Sequence, residues 1–118
     1  MSNERELAPE RVADMQANGQ IELIDVRTTE EHDAGHIAGD RHLPIDRLSE
    51  GASSLDESKA LVFYCRVGER SAVAAEALSA VGREAYSMAG GLVAWNEHGL
   101  PLEPEGGTVR EHSSLPPR

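Results

Sequence analysis

Short apolar runs alternate with helical patterns along this chain, and that alternation leaves few folds open. Ile21-Glu22-Leu23-Ile24-Asp25, Arg41-His42-Leu43, Leu61-Val62-Phe63-Tyr64 and Ala85-Tyr86-Ser87-Met88 read as strands. A short helix is predicted over Leu7 to Met15, with Pro9 near its first turn and Gly19 beyond its end. Thr28 or Thr29 can cap a helical turn over Glu30 to Asp33 that Gly35 ends, and Ile45 to Leu48 reads as one more turn after Pro44. Gly51 to Ser58 is a polar connection with weak structure. A longer helix runs from about Ser71 to Val81, where Ala74, Ala75, Leu78 and Val81 form a core-facing stripe and Gly82 ends it. Gly90-Gly91 reads as a turn, and Leu92 to His98 as a last helix. Strands alternating with helices argue for an α/β domain with a mainly parallel sheet.

At 118 residues, 39% of them hydrophobic, the chain can fill one core of medium size and is too short for two ordinary domains. The domain is expected over residues 7–102, after a flexible start over 1–6 and before a Pro-, Glu-, Gly- and Ser-rich tail over 103–118 that reads as mostly disordered. A formal charge of −10 argues against nucleic acid or an anionic membrane as partner. No stretch approaches the roughly 20 apolar residues a membrane span needs, and the polar start Met1-Ser2-Asn3-Glu4 does not resemble a signal peptide. One cysteine rules out an internal disulfide and fits a reducing compartment, so the cytoplasm is the expected location.

That cysteine, Cys65, ends the run Leu61 to Tyr64 and opens the loop Cys65-Arg66-Val67-Gly68-Glu69-Arg70-Ser71. A lone cysteine at a strand end is ordinarily a small buried hydrophobe. Packing alone, however, does not call for a glycine, two arginines and a serine at a strand-to-helix turn. The thiol is predicted at the carboxyl end of a strand, facing unpaired N–H groups at the start of a helix, where open α/β sheets hold their sites. Positive charge and a helix terminus favour the thiolate and make it a nucleophile.

Three separated segments resemble the single-domain rhodanese-like sulfurtransferases. Leu23-Ile24-Asp25-Val26-Arg27, with Glu31 and Gly35-His36-Ile37-Ala38-Gly39, is similar to the family's N-terminal signature. Phe63 to Ser71 resembles its active-site loop, and Met88-Ala89-Gly90-Gly91-Leu92-Val93-Ala94-Trp95 its C-terminal signature. The resemblance implies a five-stranded, mainly parallel sheet with helices on both faces, and a cysteine that carries sulfur as a persulfide without a cofactor or metal. It implies that Cys65 attacks a small anionic sulfur donor such as thiosulfate and that a thiol or protein acceptor receives the sulfur. Loop amides at Arg66, Val67, Gly68, Glu69, Arg70 and Ser71 would bind the substrate, and Arg66 and Arg70 could hold its sulfonate. Glu69 offsets part of that positive charge. Related phosphatases and arsenate reductases use the longer spacing Cys-x5-Arg; here it is Cys-x4-Arg, which suits a sulfur atom better than a tetrahedral oxyanion.

Asp25, Arg27 and His36 are expected to support the frame: Asp25 by accepting loop N–H groups, Arg27 by pairing with Glu31, His36 by bonding its turn. His32 and His36 are four residues apart, but Gly35 interrupts any helix and no third ligand is evident, so no metal is expected. Met88 and Trp95 read as core. The alternative to an enzyme with small-molecule turnover is a persulfide carrier or binding module serving a protein partner. A third reading, an inactive structural domain, is disfavoured by the cysteine.

Overall fold

The longest apolar runs of the sequence lie side by side at the centre of one sheet. In the computed structural model, which describes residues 5–110, the strands are β1 (Glu6–Leu7), β2 (Ile21–Asp25), β3 (Arg41–His42), β4 (Ala60–Tyr64) and β5 (Ala85–Met88). Their order is β1-β5-β4-β2-β3, and every pairing is parallel. The helices are α1 (Pro9–Ala17), α2 (Thr29–Ala34), α3 (Leu48–Gly51), α4 (Glu69–Ala80) and α5 (Gly91–Glu97).

Side chains alternate across the central strand with the period of two that a strand imposes. Leu61, Phe63 and Cys65 pack with Ala74, Ala75 and Leu78 of α4 on one face. Val62 and Tyr64 pack with Val12 of α1 and with Leu92 and Trp95 of α5 on the other. Covered on both sides, Leu61 to Tyr64 is fully buried, which is why it reads as an unbroken apolar run. No helix among the described residues is long and apolar enough to cross a membrane.

The structure departs from the sequence expectations at the edges. Leu7 belongs to strand β1 rather than to a helix: Glu6 and Leu7 pair with Ser87 and Met88 of β5, and Ala8 stays extended, as the residue before Pro9 must. The expected flexible start therefore ends in sheet, and residues 1–4 lie outside the described residues. The connection after Pro44 is more regular than expected, with 3-10 turns at Ile45–Arg47 and Ala52–Ser54 around α3. Val81 lies past the end of α4 and is 73% exposed, so the core stripe ends at Leu78.

The tail is corrected in part. Glu103 and His36 exchange both backbone hydrogen bonds, at 2.8 and 2.7 Å, and the Thr108 N–H donates to the Ala34 carbonyl at 2.8 Å. Ala34 is the last residue of α2, so its carbonyl has no partner within the helix until this strap supplies one. Composition argued for disorder, but backbone pairing does not depend on side-chain hydrophobicity. Residues 111–118 of the expected tail lie outside the described residues.

Candidate active site

β4 delivers Cys65 to the carboxyl edge of the sheet, where the residue is only 1% exposed. Gly68, at φ 108°, turns the chain in the left-handed region that glycine tolerates and caps α4. Two backbone amides then converge on the sulfur: Gly68 N–H donates to Cys65 Sγ at 3.1 Å and Ser71 N–H at 3.5 Å. These belong to the cap and first turn of a 12-residue helix, whose leading N–H groups lack intrahelical partners. The Ser71 hydroxyl lies 3.5 Å from the same sulfur and 2.7 Å from the Ser87 hydroxyl.

The loop's outer rim is held by α5. Leu92 N–H donates to the Cys65 carbonyl at 2.8 Å, and Val93 N–H to the Arg66 carbonyl at 3.0 Å. With these carbonyls bonded away from the sulfur, the amides of Gly68 and Ser71 are left to face it. The close approach requires Gly91, at φ 60°: a Cβ there would sit 2.4 Å from the Arg66 carbonyl oxygen and 2.5 Å from that of Cys65. The Gly90-Gly91 pair is therefore a docking surface for the cysteine loop as well as a turn.

The loop residues expected to bind substrate divide into two groups. Val67 and Glu69 are exposed, and Arg66 is half-buried with an Nε that has no hydrogen-bond partner among the described residues. Arg70 and Ser71 turn inward. Arg70 makes a forked ion pair with Glu31, Nη1 to Oε1 at 2.8 Å and Nη2 to Oε2 at 2.9 Å. Ser71 is wholly buried, so its contact is with the cysteine sulfur rather than with solvent.

Glu31 is the hub of this bracing. It completes a capping box with Thr28, accepting from the Thr28 N–H while its own N–H donates to Thr28 Oγ1. Burial alone would raise its carboxyl, but the hydrogen bonds from Arg70 and Thr28 and the Arg70 charge hold it below its ordinary value. Arg70 is correspondingly raised, first by its hydrogen bond to Glu31; Glu31's charge and that of Cys65 add to this.

Arg27 pairs with Asp25, not with Glu31 as the sequence suggested. Both residues are wholly buried, with Arg27 Nε to Asp25 Oδ1 at 2.8 Å and Nη2 to Oδ2 at 2.7 Å. Their alternate positions at the end of β2 and its extension bring them to this short fork, and Glu31 is taken by Arg70. Arg27 also donates to the Gly35 carbonyl at 2.7 Å, and its guanidinium carbon lies 5.5 Å from the centroid of the Tyr64 ring. Among the described residues, the backbone N–H that the Asp25 carboxylate accepts is that of Arg27, at 3.0 Å. Burial pushes the Asp25 carboxyl up, but hydrogen bonds from His32 and Arg27 overcome this and leave it below its ordinary value. Tyr64 donates to Asp40 at 2.5 Å and accepts from the Ile37 N–H at 3.1 Å.

His32 lies between two other imidazoles, 3.9 Å from His36 and 4.4 Å from His42 by ring centroids. Its hydrogen bond to Asp25 raises it above the ordinary imidazole value, against burial, with help from the Asp40 charge. His36 Nδ1 is 2.8 Å from the His32 carbonyl. The sequence reading missed Asp40, which brings a third possible ligand atom within 4.8 Å of His32 and His36. The His32 and His36 rings are stacked and only 14° from parallel, so one ion cannot lie in the plane of both, as imidazole ligation favours. The arrangement is a stack of three imidazoles, each hydrogen-bonded at its edge: His32 to Asp25, His36 to the His32 carbonyl and His42 to the Arg27 carbonyl.

The Rhodanese-like domain model matches residues 8–98. The chain belongs to that family. This rhodanese-like domain is 34% identical over 99 residues to a sulfurtransferase of Allochromatium vinosum, covering 82% of this chain and 90% of that protein. It is 31% identical over 96 residues to the thiosulfate sulfurtransferase GlpE of Ectopseudomonas mendocina, covering 80% and 87%. A rhodanese-related protein from Thermoplasma volcanium has the same fold, with a TM-score of 0.79 and 31% identity over 86% of this chain and 99% of that one. Against three other curated relatives, the rhodanese-like domain spans 41%, 54% and 61% of their length.

Proposed function

We propose that this domain is a sulfurtransferase that carries sulfane sulfur on Cys65 as a persulfide, with thiosulfate or a similar anion as donor. The observation that carries this reading is the convergence of the Gly68 and Ser71 N–H groups on Cys65 Sγ. Amides fixed at one point stabilise a thiolate, and later a persulfide anion, without reorganisation. The thiolate attacks the outer sulfur of thiosulfate; that S–S bond breaks and sulfite leaves with the electron pair. A thiolate acceptor, or cyanide in the laboratory, then attacks the outer sulfur, and the Cys65 thiolate is released. The names of the two sulfurtransferase relatives support the same chemistry.

A nearly buried sulfur at the base of a Cys-x4-Arg loop favours a donor that presents a single atom over one that must seat a tetrahedral group. With Arg70 committed to Glu31, recognition of the donor's anionic end falls to Arg66 and the outer loop. Exposed Glu69 opposes it there. This spent cation favours a second reading, in which a protein partner takes or supplies the sulfur and small anions turn over poorly. A reducing, cytoplasmic setting fits the unpaired thiol.

Intact mass after incubation with thiosulfate tests the reading. Wild type should gain one sulfur atom, removable by cyanide, and Cys65→Ala should gain none. An unchanged wild-type mass with thiosulfate and with a persulfide donor alike would overturn it. Cyanide turnover against turnover with a protein thiol separates the two readings.

A further inference from the structure

We infer that Ser87 is a positioning residue of this site, acting on Cys65 through Ser71. The inference rests on Cys65 being the reactive nucleophile. Ser87 lies on β5 opposite Phe63 of β4, and it is as buried as Ser71, at 1% and 0% exposed. Its hydroxyl oxygen is 2.7 Å from that of Ser71, which lies 3.5 Å from Cys65 Sγ. The three atoms form a chain from the strand to the sulfur.

The direction of that chain follows from counting protons. Each serine has one hydroxyl proton to place. Among the described residues, the Ser87 hydroxyl has no acceptor other than Ser71 Oγ. When Ser87 donates to Ser71, the Ser71 proton is turned towards the sulfur. The reverse order leaves the Ser87 proton unpaired in the core, an arrangement that buried hydroxyls avoid. The chain is therefore polarised towards Cys65 and adds a third donor to the two amides. Negative charge that develops on a sulfur facing three donors finds its hydrogen bonds already in place.

Iodoacetamide alkylation of the full chain tests this without any sulfur transfer. At pH 7, Ser71→Ala should alkylate roughly three- to tenfold more slowly than wild type, the effect of one lost hydrogen bond, and Ser87→Ala should show a smaller deficit in the same direction, because Ser71 keeps its hydroxyl but loses the donor that polarises it. The rates should converge at alkaline pH, where the thiol is ionised in all three. Arg66, Glu69 and Arg70, the charged side chains of the loop, are the same in every variant. Because Ser87 acts through Ser71, the double variant Ser71→Ala/Ser87→Ala should be no slower than Ser71→Ala alone. Ser87→Thr keeps the hydroxyl and should alkylate like wild type, which provides the test even if the alanine variant folds poorly. Equal rates at pH 7 for wild type and Ser87→Ala would overturn the inference. So would a deficit that persists at alkaline pH, or a double variant slower than Ser71→Ala by the full factor that Ser87→Ala shows alone. Failure of thiosulfate to add sulfur would refute the proposed function while leaving this result intact.

Discussion

Replacing Arg70 by Gln separates two roles that the sequence alone left open. In the structure its guanidinium is forked onto Glu31, which is 2% exposed, while the Arg70 side chain is 23% exposed. Breaking a buried ion pair by removing one partner costs about 3–5 kcal/mol. Water reaches part of Arg70 and Thr28 still bonds Glu31, so we expect about 2–3 kcal/mol, at or just below the low end of that range. For a domain of this size that lowers Tm by roughly 10–15 °C. The pH dependence gives an internal check. The folded-state pKa of Glu31 lies below its ordinary 4.5, so the pair contributes its stability above that value and loses it as pH falls through the folded pKa. The gap in Tm between wild type and Arg70→Gln should be full at pH 7 and close on acidification. Both half-reactions, sulfur loading and sulfur release, should weaken together because the loop that bears the amides is loosened. Circular dichroism melts from pH 3 to 7 and single-turnover kinetics measure these quantities. An unchanged Tm combined with a rise in KM for thiosulfate alone would refute the bracing role and return Arg70 to the donor.

Two further outcomes follow from the same geometry. Gly91→Ala places a Cβ against the backbone carbonyls of Cys65 and Arg66 and forces alanine to φ 60°, so it should cost at least about 3 kcal/mol and slow alkylation of Cys65. A variant with wild-type melting and alkylation would show that α5 does not hold the loop. His32 is raised above its ordinary 6.5, so its bond to Asp25 contributes stability fully below that value and loses it as pH rises through the folded pKa. The Tm advantage of wild type over His32→Gln should thus be largest near pH 6 and shrink towards pH 9; an advantage that grows with pH would contradict the charged pair.

Local pattern and local chemistry determined much of this protein. The central strands, the strand-to-helix turn at Cys65 and a cap at Thr28 or Thr29, which the structure assigns to Thr28, were legible because each depends on neighbours within a few residues. The three motif segments made the family and the sheet legible as a resemblance. Long-range pairing was hidden. The two-residue strand β1 has no periodicity of its own and exists because β5 offers an edge. Glu31 and Arg70 are 39 positions apart, and nothing in the sequence says which of two arginines a buried carboxylate will take. Ser71 and Ser87 meet across two elements for the same reason. The strap from Glu103 to Thr108 is held by main-chain bonds, which side-chain composition does not encode. Sequence alone thus located Cys65 and the loop around it. Only the tertiary structure decided which of the loop's charges brace the frame, because an ion pair or hydroxyl chain is specified by proximity in space.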